Sequence, residues 1–248
     1  MGFPIKGATA LVTGANRGIG EAVVDALFAA GAAKVYAGAR NVSDLEPLLA
    51  RHGRKLVPLT LDVTDAAHIA AAATKAADVQ LLINNAGVAA HAGGSFTDSK
   101  WIEAGRQEME VNFFGTLSLT QAFAPVLARN GGGAIANVAS VASLVNFPVV
   151  AAYSASKAAT HSITQAARFM LKSQNTQVFG IYPGPIDTRM AEGIKLEKTS
   201  PKDAARAIVE GIQAGTEEIF PDPMSRNLGA AFLANPKGLE RQVGAMAA

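Results

Sequence analysis

The sequence has no cysteine, which excludes disulfide staples, thiolate metal sites and thiol catalysis together. A reducing cytoplasm suits such a chain, and a cytoplasmic protein is the expectation. Charge is also scarce, at 17% of 248 residues against the roughly 25% usual for soluble domains. The 22 basic and 20 acidic side chains balance to +2 without a like-charge run, so nucleic acid is not an expected partner. Residues 1–6 are too few and too mixed for a secretory signal, and no apolar stretch reads as approaching the roughly 18 residues of a membrane span. The expectation is therefore a soluble protein without a membrane partner. With 49% hydrophobic residues the chain is not disordered and can bury a large core.

From the N-terminus to about residue 182, β-rich apolar runs alternate with segments of helical period, the pattern of a parallel sheet covered by helices. Strands are expected at 8–13, 34–38, 55–61, 79–84, 134–138 and 177–181. Between the first two, Ile19, Val23 and Leu27 step by four beside Val24 and Phe28, giving an apolar helical face that Gly31 closes. Further helices are expected at 42–50, 65–76, 99–129, 152–172 and 201–215, with Asp65 and the pair Ser200-Pro201 as start signals. The alanine-rich tract 70–77 reads as helix rather than linker. Neither a repeat nor a linker divides the chain, so residues 1–248 are read as one doubly wound α/β domain of Rossmann type.

The turn Thr13-Gly-Ala-Asn-Arg-Gly-Ile-Gly20 stands between an expected strand and an expected helix, the context that gives a glycine-rich turn meaning. Gly14, Gly18 and Gly20 allow a tight turn and close backbone approach. The helix N-terminus then offers N–H groups and partial positive charge to a pyrophosphate. At the end of the second strand, where a carboxylate would bind the ribose of NAD, the chain reads Tyr36-Ala-Gly-Ala-Arg40. Arg40 and Arg17 instead suit the 2′-phosphate of NADP(H) through charge-assisted hydrogen bonds.

With Asn84-Asn-Ala-Gly87, Asn112, Ser140, Tyr153-Ser-Ala-Ser-Lys157 and Pro183-Gly-Pro-Ile-Asp-Thr188 in the same order, the chain resembles the short-chain dehydrogenase/reductase family over about residues 6–190. The resemblance implies an NADP-dependent reductase of ketones or aldehydes. Tyr153 and Lys157 are four apart on an expected helix, so they share a face, and a nearby ammonium should draw the phenol below its usual pKa near 10. Tyr153 then serves as general acid, and Ser140, at a strand end, can hydrogen-bond the substrate oxygen as charge builds there. The family further implies that Lys157 bonds the nicotinamide ribose and that Asn112 holds a water linking Lys157 to solvent. Asp62 and Val63 would meet the adenine, and Asn85, Ala86 and Gly87 the ribose. Asn16 and Ile19 would join the glycine turn, and Pro183, Gly184, Ile186 and Thr188 the nicotinamide.

A dinucleotide sensor without chemistry is the alternative from another class, but it has no need of Ser140, Tyr153 and Lys157 together. Epimerase, dehydratase or enoyl-reductase chemistry on the same scaffold is a third. In this family the enoyl reductases place six residues between Tyr and Lys, where this chain has three.

The loops 88–96, 141–150 and 189–198 should wall a substrate pocket. Leu144, Val145, Phe147, Val149, Met190 and Ile194 give an apolar lining suited to an aryl or aliphatic ketone, and Arg189 reads as a solvated residue at the loop base. Residues 189–199 are expected to be a mobile lid. His52, His68, His91 and His161 stand apart without ligand-spaced partners, so no metal site is expected, and Trp101 and Met109 read as core or interface.

The C-terminus departs from the family: 217–222 can supply a short strand, no Asp-Gly-Gly turn follows, and the atypical tail 222–248 reads as helical or loose. A homodimer or homotetramer through the helices at 99–129 and 152–172 is expected. On the second of these Lys157, His161, Gln165, Arg168 and Lys172 form one stripe, while Ala155, Ala159, Ser162, Ile163, Ala166, Ala167, Phe169 and Met170 make a broad small and apolar surface. The competing arrangement is a monomer whose C-terminal tail covers that surface.

Overall fold

A computed structural model describes residues 2–193 and 195–245. Strands β1 (Thr9–Thr13), β2 (Lys34–Ala39), β3 (Leu56–Thr60), β4 (Leu81–Asn84), β5 (Gly133–Val138), β6 (Thr176–Ile181) and β7 (Glu218–Ile219) form one parallel sheet in the order β3-β2-β1-β4-β5-β6-β7. The six expected strands are present within two residues at each end, and 217–222 supplies the short seventh. The helices are α1 (Gly18–Ala29), α2 (Glu46–His52), α3 (Ala66–Lys75), α4 (Lys100–Glu108), α5 (Gly115–Arg129), α6 (Ala151–Met170), α7 (Pro201–Ala214), α8 (Pro223–Ala234) and α9 (Pro236–Ala245).

Alternation along the strands divides the interior in two. Ala10, Val12, Leu81, Ile83, Ala134 and Ala136 pack with Val23, Val24 and Leu27 of α1 and Ile208 and Ile212 of α7. The residues between them, Leu11, Leu82 and Ile135, pack on the opposite face with Ile69 of α3 and Leu119, Phe123 and Leu127 of α5. Both faces are covered, which is why the strands read as continuous apolar runs. Asp65 caps α3 by accepting from the Ala67 and His68 N–H groups at 2.8 and 3.1 Å. Ser200 caps α7 from the Asp203 N–H at 3.1 Å.

Three local expectations change. Residues 42–50 divide into a 3-10 turn, Val42–Leu45, and α2, whose first turn holds Pro47, a residue with no N–H for a helical ladder. The helix at 99–129 is continuous but carries a π-helical segment, Met109–Phe114, between α4 and α5. This run, Lys100–Arg129, is long and apolar enough by length and composition to cross a membrane, contrary to the sequence reading. Its Leu119, Phe123, Val126 and Leu127 are buried against the sheet.

The tail folds as α8 and α9 over the chain after β5, where Leu239 and Val243 bury Val145. It leaves Phe169 and Met170 of α6 exposed, at 78% and 75%. Three members of the polar stripe turn inward while Gln165 and Lys172 stay exposed: Lys157 is buried, His161 shares a 2.7 Å hydrogen bond with Tyr182, and Arg168 donates to the Val178 carbonyl at 3.1 Å. Ala167, expected on the open surface, is core.

Candidate active site

β1 and β4 are neighbours in the sheet, and the chain leaves them for opposite faces, opening a crevice at their C-terminal ends. Gly14 and Gly18, with φ of 61° and 59°, make the turn out of β1. A Cβ on Gly20 would lie 2.3 Å from the Gly14 carbonyl oxygen and 2.5 Å from Asn85 Nδ2, so only glycine fits. Arg17 begins α1 and makes no side-chain capping bond, which leaves the first-turn N–H groups of the helix facing the crevice. Ile19 packs on the core, and the Thr188 methyl would meet a Cβ on Gly18 at 3.1 Å, so the chain after β6 comes over this turn.

The Asn85 side chain has a role that the sequence did not suggest. Its Nδ2 donates to the carbonyls of Thr13 and Gly14 at 2.8 and 3.2 Å, so the amide locks the glycine turn. The N–H groups of Asn85 and Ala86 donate to Thr13 Oγ1 at 3.0 and 2.9 Å. The sequence reading missed Thr13, although a threonine ending a strand directly before such a turn was the available signal.

Arg17 and Arg40 are exposed at the crevice mouth. Asn16 Nδ2 donates to Asp44 at 3.2 Å. Asp62 forms a turn with Thr64, accepting from its N–H at 3.0 Å and its hydroxyl at 2.8 Å, and does not begin a helix. The Thr64 N–H, with Arg40 and His68 nearby, holds the Asp62 carboxyl below the usual range against the opposing effect of burial. The Val63 side chain is buried, close against Gly115.

At the end of β5, Ser140 accepts from the Ala142 N–H at 3.1 Å and reaches the Pro183 carbonyl at 3.4 Å. Lys157 is 4% exposed, its Nζ donates to the Val138 carbonyl at 2.8 Å, and it lies 5.7 Å from the centre of the half-buried Tyr153 ring. Burial pushes the Tyr153 phenol up to about 12, opposed by the Ser140 hydroxyl and reinforced by the Glu108 carboxylate. The sequence reading had the ammonium lowering that value. Desolvation of the phenolate sets the direction instead, and the same desolvation brings Lys157 down to about 8.

The π-helical segment carries Asn112 into the interior. Its Oδ1 accepts from the Val88 N–H, and its Nδ2 donates to the Val88 carbonyl and to Ser156 Oγ, all at 2.9 Å. The hydroxyls of Thr116 and Thr160 donate to its backbone carbonyl at 2.8 and 3.0 Å. Between Asn112 and Lys157 the space is kept open by Gly87, where a Cβ would lie 3.1 Å from Asn112 Oδ1 and 3.3 Å from Lys157 Nζ. The sequence reading also missed the ladder behind them, in which Asn84 donates to Asn137 at 2.8 Å and Asn137 to Thr164 at 2.9 Å. Two pairs of threonines at a spacing of four, Thr116 and Thr120 on α5 and Thr160 and Thr164 on α6, were too bland a signal to find.

After β6, Pro183 and Ile186 are buried, and the Gly184 N–H donates to Asp222 at 2.8 Å. Asp222 also caps α8, so the tail positions this turn. Residues 187–199 are pinned at their base, where the Asp187 N–H donates to the Thr199 carbonyl at 2.9 Å. Of the expected pocket residues, Leu144 and Phe147 are half-buried and Val149 and Met190 exposed, while Val145 points instead at α9. Ile194 lies outside the described residues. The Gly93 N–H donates to the Val149 carbonyl at 2.7 Å, tying two walls together.

The uncapped helix, the glycine turn and the gap beside Gly87 fit a dinucleotide. A family model described as short chain dehydrogenase matches residues 8–199. The chain is 34% identical over 198 residues to Dehydrogenase/reductase SDR family member 7B of Mus musculus, covering 75% of this chain but only 60% of that protein. It is 35% identical over 195 residues to the galactitol 2-dehydrogenase (L-tagatose-forming) of Cereibacter sphaeroides, covering 76% and 75%. Among solved structures, a short chain dehydrogenase from Burkholderia cenocepacia J2315 in complex with NADP superimposes with a TM-score of 0.89 at 38% identity, covering 96% of this chain and 98% of that one.

Proposed function

Because the chain belongs to the short-chain dehydrogenase/reductase family of oxidoreductases, we propose that it reversibly reduces a ketone or aldehyde to an alcohol with NADPH. The observation that carries this reading is the buried Lys157 ammonium, bonded to the Val138 carbonyl and set beside Tyr153 and the open space at Gly87. NADPH, when bound, supplies the hydride. Gly14, Asn16, Arg17, Gly18, Ile19 and Gly20 would hold its pyrophosphate, Arg17 and Arg40 its 2′-phosphate, and Asp62 the adenine side. Asn85 holds the turn, Ala86, Gly87 and Lys157 the ribose side, and the 183–188 turn the nicotinamide.

Tyr153 Oη donates its proton to the carbonyl oxygen, and burial keeps that proton in place until it is needed. Ser140 Oγ donates to the same oxygen as negative charge grows there. Lys157 and Asn112 border the gap through which a proton returns to Tyr153. The apolar residues Leu144, Phe147, Val149 and Met190 favour an aryl or aliphatic carbonyl compound, with residues 189–199 closing over it as a lid. NADP dependence is supported by the two arginines, by the absence of a carboxylate at Ala39, and by the NADP complex of the Burkholderia relative.

Assembly as a homodimer or homotetramer is supported by exposed Ile102 and Phe114 on the α4–α5 run and by Phe169 and Met170 on α6. Light scattering on a sizing column tests it against the 25.5 kDa of one chain. Catalysis is tested by following NADPH absorbance over ketones, aldehydes, keto acids and steroids with wild type and Tyr153→Phe. Turnover that survives the substitution overturns the mechanism.

A further inference from the structure

Glu108, the last residue of α4, is completely buried. Its Oε1 accepts from the Ala90 N–H at 2.7 Å, while its Oε2 and the buried Nε2 of His91 have no hydrogen-bond partner among the described residues. A carboxylate placed so deep without full pairing is costly to the fold, so its position calls for a use. Two contacts with α6, one from α4 and one from the π-helical segment that follows it, locate it. A Cβ on Gly105 would lie 3.5 Å from the Ala152 Cβ, and Asn112 Nδ2 bonds Ser156 Oγ at 2.9 Å. Glu108 stands on the same helix face, three residues after the first contact and four before the second. On α6, Tyr153 follows Ala152 and precedes Ser156, so its chain position falls within the stretch that packs beside Glu108.

Resting on the reading of Tyr153 as proton donor, we propose that Glu108 is a positioning residue that holds the Tyr153 phenol in its protonated, donating form. The carboxylate takes no proton from substrate; it sets a negative charge where a phenolate would form. From α6 the titratable groups nearest in the chain to those contacts are Tyr153 and, one turn further on, the buried Lys157. From the loop after β4 it faces His91, which offsets the carboxylate when protonated and is itself bordered by Asp98 across Gly94. On its own helix Arg106 and Glu110 are exposed. Such a charge moves the onset of alcohol oxidation, which needs the phenolate, to higher pH.

Glu108→Gln separates charge from packing, since the amide oxygen can still accept from Ala90. The phenolate absorbance of apo protein, followed through the alkaline range, reads Tyr153 once the Tyr153→Phe signal of Tyr36 and Tyr182 is subtracted. In Glu108→Gln its midpoint should fall by on the order of one pH unit, and the alkaline rise of alcohol oxidation should move down with it, in kcat rather than KM. Glu108→Asp, which keeps the charge, should restore most of the wild-type behaviour. An unmoved midpoint in Glu108→Gln, or Glu108→Asp behaving like it, overturns the proposal. The titration needs no substrate, so it decides the role of Glu108 separately from turnover by Tyr153→Phe, which decides the proton-donor reading.

Discussion

The two halves of the crevice are built from opposite materials. Around β1 and β4 the site is made of backbone: a glycine turn, an uncapped helix start and a space that a single Cβ at Gly20 or Gly87 would fill. Around β5 and α6 it is made of buried polar side chains, Ser140, Lys157, Asn112, Asn137 and Thr164, each satisfied by a neighbour. A backbone site tolerates no added atoms, whereas a side-chain site tolerates no lost ones. Substitutions should therefore fail differently in the two halves.

The largest effect is expected where an atom is removed from the side-chain half. Tyr153→Phe should lower kcat on the order of 10² to 10⁴-fold and leave NADPH affinity nearly unchanged, as turnover and fluorescence titration would measure. Equal losses in both would erase the distinction between the halves.

Next comes the buried lysine. Lys157 is held near 8 in the folded protein against 10.5 when exposed, so the unfolded chain binds the extra proton and stability should rise as pH climbs from about 8 to 10.5. Tyr153, raised from 10.0 to about 12, contributes stability that is complete below pH 10 and lost above it, so the window from 8 to 10 isolates the lysine. The total is about 3 kcal/mol, and urea unfolding of Lys157→Met should show a pH slope flatter than wild type across that window.

Adding atoms to the backbone half should do the reverse of Tyr153→Phe. Gly20→Val forces a side chain into the Gly14 carbonyl and the Asn85 amide. It should cost about 1–3 kcal/mol in thermal unfolding and remove the stabilisation that NADPH gives, even if the apo protein still folds. The smallest effect is at the rim, where Arg40→Ala should lower the ratio of kcat/KM for NADPH over NADH by about tenfold. An unchanged ratio there would assign the preference elsewhere.

The backbone half was the more legible in the sequence, because glycine spacing between a strand and a helix reports steric need directly. Even there the turn-locking bonds of the Asn85 amide went unread, since a side chain that locks a turn and one that touches a ligand look alike as letters. The side-chain half was legible at Ser140, Tyr153 and Lys157, which stand at fixed spacing. The direction of the Tyr153 shift was not, because desolvation depends on burial that no spacing records. The π-helical segment was also hidden: Met109 to Phe114 keep an ordinary helical pattern, and only packing of Asn112 between Val88 and Ser156 reveals the wider turn. Glu108 gave no signal, because a carboxylate on a polar stretch of helix reads the same buried or exposed.

Asp222 bonds Gly184 with one carboxylate oxygen and starts α8 with the other. During synthesis the glycine turn, the tyrosine and the lysine all leave the ribosome before this residue does, yet the Gly184 turn lacks its anchor until Asp222 arrives. A nascent chain halted at β7 would thus carry every reacting group and still hold the 183–188 turn loosely. The order of translation delays completion of the pocket until the tail that begins at Asp222 is also present.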